Sequence, residues 1–417
     1  MIKMRKIQFY ILLLILMAIL FSSCGSAPEK LPINGTESSG ISVDTSKSSD
    51  IQDIRQYTRD NSKALKIFKN LFSSDTMYTA GRNMFDEQNS FVIDNTLYIL
   101  TGYQSRIGFF EVNPVTGNLE PICRDPLCQH KTDDCVMNTL CTGATTNGKD
   151  VFTSNVNAIS KVNLAEGKIS LMCSWRASQA MSDYATCDEK YVYFVASTSD
   201  TTNEFFRVPV NGGKPEQLSK LDDSIVTFTV SDGYILFRNS VGTLKLATLD
   251  FSSTETIAEK TATMTSENGL FFYCDDFGRI NEISIDNIEP KIVAENVAHY
   301  RGFLCDGLLY YYKTDFKDSK KIYCYDVNSG STDSIELSDD IILFNTHTRS
   351  FDSEKIFFYD DVDNLSFFGK YGDYLLIYMY DKAIHKYEYE LPRFFLLKTD
   401  GTEIAEIFFE EMPPAYD

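Results

Sequence analysis

The sequence predicts an all-β fold: a β-propeller of about seven blades (six to eight), mostly of four antiparallel strands each. Three observations carry this. A β-rich phrase recurs along the chain at a spacing mostly near ~40 residues, the length of a four-stranded blade. Its copies contain turns such as "VTGN", "NGGK" and "NSGS", whose Gly and Asn suit tight β connections. No helical pattern separates the strand runs, as an α/β sheet would require. A pair of β-sandwiches is the rival, but sandwiches need no self-similar phrase at this period. Radial closure also protects the many strand edges such a chain presents.

Composition agrees. The 417 residues are 43% hydrophobic and 24% charged, which excludes wholesale disorder. Phe (30) and Tyr (24) abound beside a single Trp, a bias that suits half-buried pleated surface. The net charge of -20 gives no electrostatic footprint for a nucleic-acid backbone, so no nucleic-acid partner is expected.

The N-terminus reads as an address. Lys3, Arg5 and Lys6 precede an apolar run from Ile7 to Phe21, then Ser22, Ser23 and Cys24. A basic start, an apolar run shorter than the ~20 residues of a membrane span, and small residues before a Cys indicate a signal peptide over residues 1–23. The segment Phe21-Ser22-Ser23-Cys24 resembles the bacterial lipobox, with Phe where Leu is usual. The resemblance implies that Cys24 is lipidated and holds the body at the cell membrane, facing the extracytoplasmic side. A secreted or membrane-retained chain with an unmodified Cys24 is the alternative. The acidic body would not adsorb electrostatically to an anionic membrane, so anchoring falls to acyl chains.

Residues 24–60 are rich in Ser, Gly and Thr, without a sustained apolar period, and read as a flexible tether. Over 61–82 a short helical lead-in is expected. There Leu65, Phe68, Leu71 and Phe72 share one helical face, which would pack on the body rather than on a membrane. The propeller then occupies 83–417. Met84–Ile93 is expected to supply a strand that closes the ring against the final repeat.

Seven copies of the phrase follow. They begin at "DNTLYIL" (94–100), "NGKDVFT" (147–153), "DEKYVYFVA" (188–196), "SDGYILF" (231–237), "ENGLFFY" (267–273), "CDGLLYYY" (305–312) and "YGDYLLIYMY" (371–380). An extra strand-like piece, "SEKIFFYDD" (353–361), belongs to the last copy or to a degenerate one. The "DG-x-Y-Y" and "I-x-x-x-D-x-x-x-G" phrases resemble the TolB-like class of bacterial propellers, over roughly residues 85–410. That resemblance implies the fold and no activity, because this fold hosts binding proteins, scaffolds and enzymes alike.

One string carries chemistry. "CRDPLCQHKTDDC" gathers Cys123, Cys128, His130 and Cys135, with Cys141 shortly after. Its "C-x-DP-x-C-x-H" core is similar to a motif of uncharacterised cell-surface lipoproteins of Gram-positive anaerobes. Three readings stay open. Three thiolates and an imidazole suit a closed tetrahedral zinc site, metal ligands Cys123, Cys128, His130 and Cys135, although the spacing differs from a C-x-x-C knuckle. Cys123, Cys128, Cys135 and Cys141 of an exported chain alternatively form two disulfides. The third reading is reduced thiols in a loop. His130 favours the metal, since disulfides have no use for it. Cys173 and Cys187 are a further candidate bridge, while Cys274 and Cys324 lie inside strand phrases and suit a sheet core. The nine cysteines besides Cys24 cannot all pair within one chain.

Other chemistry lacks its residues. There is no G-x-S-x-G elbow and no Gly-rich phosphate loop. The lone Trp175 excludes repeated Trp docking motifs and Trp-containing Asp boxes. "DDVDN" (360–364) lacks the Gly and the third ligand of a calcium loop, where Leu365 stands. His299, His347 and His385 read as strand or loop residues, and the pairs Tyr310–Tyr312, Phe271–Tyr273 and Tyr374–Tyr380 as blade core. The leading expectation is a membrane-anchored binding module for an envelope protein, peptide or glycan, without catalysis. The alternatives are a carbohydrate-active lyase or hydrolase working in the central channel, and a structural or sensory protein using the Cys/His loop.

Overall fold

Each repeat folds as one antiparallel meander, and seven meanders close a ring. The computed structural model describes residues 62–73, 78–79, 82–83, 89–103, 106–128, 130, 132, 134–137, 143–155, 158–175, 185–199, 202–221, 225–315, 319–337, 365–379 and 393–409. All lie in the unit Arg59–Asp417. First come helix α1 (Ser62–Ser73) and two two-residue strands, β1 (Tyr78–Thr79) and β2 (Arg82–Asn83). Blade 1 is β3 (Ser90–Ile93), β4 (Thr96–Tyr103), β5 (Arg106–Val112) and β6 (Leu119–Pro121). Blade 2 is β7 (Ala144–Thr146), β8 (Val151–Asn155), β9 (Ala158–Asn163) and β10 (Lys168–Ser174). Blade 3 is β11 (Ala185–Cys187), β12 (Tyr191–Ser199), β13 (Thr202–Pro209) and β14 (Glu216–Leu221). Blade 4 is β15 (Ile225–Ser231), β16 (Tyr234–Asn239), β17 (Leu244–Thr248) and β18 (Thr254–Ala258). Blade 5 is β19 (Thr261–Glu267), β20 (Leu270–Asp275), β21 (Ile280–Ser284) and β22 (Lys291–Ala294). Blade 6 is β23 (Val297–Cys305), β24 (Leu308–Lys313), β25 (Lys321–Asp326) and β26 (Ser331–Glu336). Blade 7 is β27 (Leu365–Tyr371), β28 (Tyr374–Met379), β29 (Arg393–Lys398) and β30 (Ile404–Ile407). Within every blade the strands pair antiparallel in chain order.

The second strand of most blades is largely apolar because both its faces are covered; β8, with Thr153, Ser154 and Asn155, is the exception. On β20, Phe272 and Cys274 pack toward blade 6, while Phe271 and Tyr273 pack toward blade 4. On β24, Leu309 and Tyr311 face blade 5, and Tyr310 and Tyr312 face blade 7. Successive strand side chains point to opposite faces, so one run serves two neighbours. In blades 1, 4, 5 and 6 the first two strands are joined by mirror-image two-residue turns. Asp232–Gly233, Asn268–Gly269 and Asp306–Gly307 have both central residues at positive φ, which Asp, Asn and Gly tolerate best.

The first strands touch one another around the axis, so they are the innermost. Two of them carry an additional partner: β1 pairs with β27 through Tyr78–Tyr371 and Thr79–Lys370, and β2 pairs with β23 through Arg82–Leu304 and Asn83–Phe303. The chain therefore covers the channel-side edges of blades 6 and 7 with residues that precede blade 1. This corrects the expected closing strand from Met84–Ile93. Ser90–Ile93 is the innermost strand of blade 1, because the turn at Asp94 and Asn95 (φ 51° and 59°) folds it back onto β4. Among the described residues of the expected lead-in over 61–82, Ser62–Ser73 is helical, Tyr78–Thr79 forms β1 and Arg82 begins β2.

The ring closes on the outer side. The Leu119 N–H donates to the Phe408 carbonyl (2.7 Å), and Leu119 and Phe409 form a parallel bridge. One apolar cluster runs through blades 7, 1 and 2 and takes in Ala64, Ile67 and Phe68 of α1. The amphipathic helix thus packs on the body. "SEKIFFYDD" and "DDVDN" lie outside the described residues, as do Cys24 and the tether.

Two predictions follow from this packing. Phe394 is fully buried in the closing cluster, edge-on to Phe368 at 5.4 Å. Phe394→Ala is expected to cost about 3–5 kcal/mol in urea unfolding, whereas Val241→Ala, at a side chain 77% exposed, should stay within about 0.5 kcal/mol. The second concerns acid. Thr248, through its hydroxyl, holds the Asp250 carboxyl down to about 2, and Lys398 does the same for Asp400. Both values lie below the ~3.9 of an unfolded chain, so their support for these turns is complete above that pH and is lost as pH falls toward 2. An NMR titration should find both carboxyl midpoints near 2, with the turns loosening in step.

Candidate metal centre

The cysteine string forms the seam between blades 1 and 2. After β6 the chain turns at Asp125-Pro126-Leu127-Cys128. The Asp125 carboxylate accepts the Leu127 N–H (2.9 Å), and its carbonyl accepts the Cys128 N–H (3.0 Å). His130 is left-handed (φ 52°), which turns its own N–H onto the Cys128 Sγ (3.4 Å). The far end of the loop is held by both blades. The Val136 carbonyl accepts the Phe109 N–H of β5 (3.3 Å), and the Val136 N–H donates to Gly167 (3.4 Å). The Ile169 N–H of β10 donates to the Asp134 carbonyl (2.8 Å), and Cys135 bridges Lys168. Arg124 pairs with Glu111 of β5.

Two glycines permit this approach. A β-carbon on Gly108 would come within 2.8 Å of the Met137 Cε. One on Gly167 (φ +63°) would meet the Ile122 carbonyl at 2.7 Å and the Cys123 Cα at 2.9 Å.

The result is convergence. One donor atom each from Cys123, Cys128, His130 and Cys135 lies within 4.8 Å of the other three, the single such metal-competent group among the described residues. The Cys128 and Cys135 sulfurs are 3.6 Å apart, and His130 Nδ1 is 3.4 Å from the Cys135 Sγ. Tetrahedral zinc with bonds of ~2.3 Å to sulfur and ~2.0 Å to nitrogen would set these edges at about 3.8 and 3.5 Å. The Cys128–Cys135 separation is longer than the ~2.05 Å of a disulfide, and no disulfide joins any of the three cysteines. Every sulfur also accepts the backbone N–H two residues on: Cys123 from Asp125, Cys128 from His130 and Cys135 from Met137. Such donors favour the thiolate. Burial works the other way, pushing the Cys123 thiol up and the Cys135 thiol up to about 12. A dication at the centre would reverse that balance, since a coordinating thiol is deprotonated. Four protein donors leave no open coordination position, the pattern of a structural rather than catalytic site.

The remaining predicted residues scatter. Cys173 and Cys187 are buried in the wedge between blades 2 and 3 with no disulfide between them, and the Cys187 Sγ lies 3.3 Å from the Thr145 hydroxyl. Cys274 and Cys305 are fully buried in blade cores, and Cys324 is half-buried. His299 lies on β23, whereas His347, His385, Cys141 and Tyr380 are outside the described residues. Tyr310, Tyr312, Phe271 and Tyr273 are core, as expected. Trp175 stacks on Phe194 at 4.7 Å. Among the described residues no helix is long and apolar enough to cross a membrane. The sequence singled out the four side chains that the fold brings together but not Gly108 and Gly167. A Gly within the strand phrase "GFFEV" was the available signal for close approach.

No protein-family model and no curated protein matches the chain. Solved structures give distant likenesses. An oligogalacturonate lyase from Vibrio parahaemolyticus is 14% identical, with a TM-score of 0.48, over 78% of this chain and 91% of that one. An oligogalacturonate lyase in complex with manganese is 12% identical, TM-score 0.46, over 72% and 85%. A protein described as TolB from Agrobacterium tumefaciens is 9% identical, TM-score 0.35, over 45% and 76%. At these levels they say nothing of activity.

Gly167→Ala is expected to push the turn against Ile122 and Cys123 and weaken metal binding by about tenfold or more in competition with a chromophoric chelator. Gly148→Ala, at an equally left-handed glycine with open space around it, should leave the affinity unchanged. A metal bound by Cys123, Cys128 and Cys135 displaces one proton from each of the three thiols, so its affinity should fall by up to about 1000-fold per unit as pH drops below neutrality, read by the same competition.

Proposed function

We propose that this chain is a lipid-anchored extracytoplasmic propeller that acts as a binding module for an envelope protein, peptide or glycan. Cys24 is its lipidation site, and Cys123, Cys128, His130 and Cys135 hold a structural zinc ion. The observation that carries the non-catalytic reading is the make-up of the innermost strands. Their buried polar side chains are hydroxyls: Ser90, Thr145, Thr186, Thr229, Thr265 and Ser266, among others. The described charged side chains on these strands are Glu267 and Lys370. The Glu267 carboxylate accepts the N–H groups of Asp306 and Gly307 (3.1 and 2.8 Å), in the first turn of the neighbouring blade. Among the described side chains of these strands no carboxylate pair and no imidazole stands beside the hydroxyls, and hydroxyls alone do not supply the acid and base of glycoside chemistry. The lead-in strands on blades 6 and 7 add to this by covering channel-side edges.

Zinc is supported by the donor set itself, since three thiolates and one imidazole are soft to borderline ligands in a closed tetrahedron. Its binding free energy would add directly to the stability of the blade 1–blade 2 seam.

The purified protein is expected to contain one equivalent of zinc, with Cys135→Ser lacking it and unfolding at a lower temperature. Cys24→Ala should move the protein from the membrane to the soluble extracytoplasmic fraction. Incubation with polyuronides and other envelope glycans should yield no new reducing ends and no unsaturated products. Turnover of any of them would replace the binding module with an enzyme.

A further inference from the structure

We infer that Cys128 and Cys135 are also a redox pair, so that oxidation closes a disulfide between them and expels the metal. The inference rests on the zinc reading and adds a regulation to it. Their sulfurs are 3.6 Å apart, so an approach of about 1.6 Å makes the bond. Their exposures differ in the useful sense: Cys128 is half-exposed, whereas Cys135 is 4% exposed. An oxidant reaches Cys128 before Cys135, and the buried Cys135 is positioned to resolve the product.

With hydrogen peroxide the chemistry balances. The Cys128 thiolate attacks one peroxide oxygen, the O–O bond breaks, and hydroxide leaves a sulfenic acid on Cys128. The Cys135 thiolate then attacks that sulfur, forming the S–S bond and releasing the second hydroxide. Two protons from solvent convert both hydroxides to water. Peroxide is reduced by two electrons, one from each thiolate. Cys123 and His130 remain as two donors, too few to close a tetrahedral site.

The seam has its own means of surviving this loss. The bonds from Phe109 to Val136 and from Ile169 to Asp134 are backbone contacts that do not involve sulfur. The loop therefore stays seated while its cross-link changes from ion to disulfide. Metal and disulfide, which compete as readings of the sequence, become two states of one site.

The test uses the full chain, zinc-loaded under reducing conditions and titrated with hydrogen peroxide beside a zinc indicator. One zinc should be released for every two thiols lost, the mass should fall by two hydrogens, and non-reducing peptide maps should show Cys128 joined to Cys135. Dithiothreitol should restore zinc binding, and Cys173→Ser should behave as the parent. Zinc retained at peroxide levels that oxidise exposed model thiols, a different disulfide, or sulfinic acid at Cys128 each overturns the switch and leaves the zinc reading standing. A chain that takes up no zinc overturns the zinc reading instead. In that case the switch fails as well, whatever the peptide map shows.

Discussion

The fold depends on a single constraint: each blade is a sheet with two apolar faces and so cannot stand alone. A four-stranded meander that exposed Phe271, Phe272, Tyr273 and Cys274 to water would lose most of its driving force, since each buried aromatic contributes on the order of 2–3 kcal/mol. Each blade needs a neighbour on both sides, and a row of such units ends only when the last meets the first. The apolar clusters between successive blades meet that requirement all the way round.

The seam between blades 1 and 2 is built differently from the other wedges. There the chain inserts a polar loop whose end, Cys135, Val136 and Met137, joins the apolar cluster, with Cys123 and Cys128 packed against it and His130 converging on the same sulfurs. A loop of this length is costly to order. The backbone bonds to blades 1 and 2 at its end, the Asp125 turn at its start and the converging sulfurs in between offset that cost. Gly108 and Gly167 matter because they let the loop come close enough for all three to act together.

Much of the architecture was legible because a repeat announces itself. The seven phrases fell on the seven blades, and the mirror-image turns sat where Asp-Gly and Asn-Gly stood. The four donors were legible too, since His among clustered Cys is a compositional signal. What stayed hidden depends on long-range placement. Nothing local to Tyr78–Thr79 or Arg82–Asn83 says that they pair with strands more than two hundred residues away. Nor does the spacing of the cysteines reveal that each sulfur receives the N–H two residues on, because that follows from backbone direction and not from residue type.

The position of α1 has a mechanical consequence. It packs into the seam where the ring is closed, and the next paired residues, β1 and β2, are short ladders on the inner edges of blades 7 and 6. Any tension arriving from the N-terminal side is delivered first to the hinge of the ring rather than to an outer rim, so a tug on this protein is felt at the place where the wheel would open.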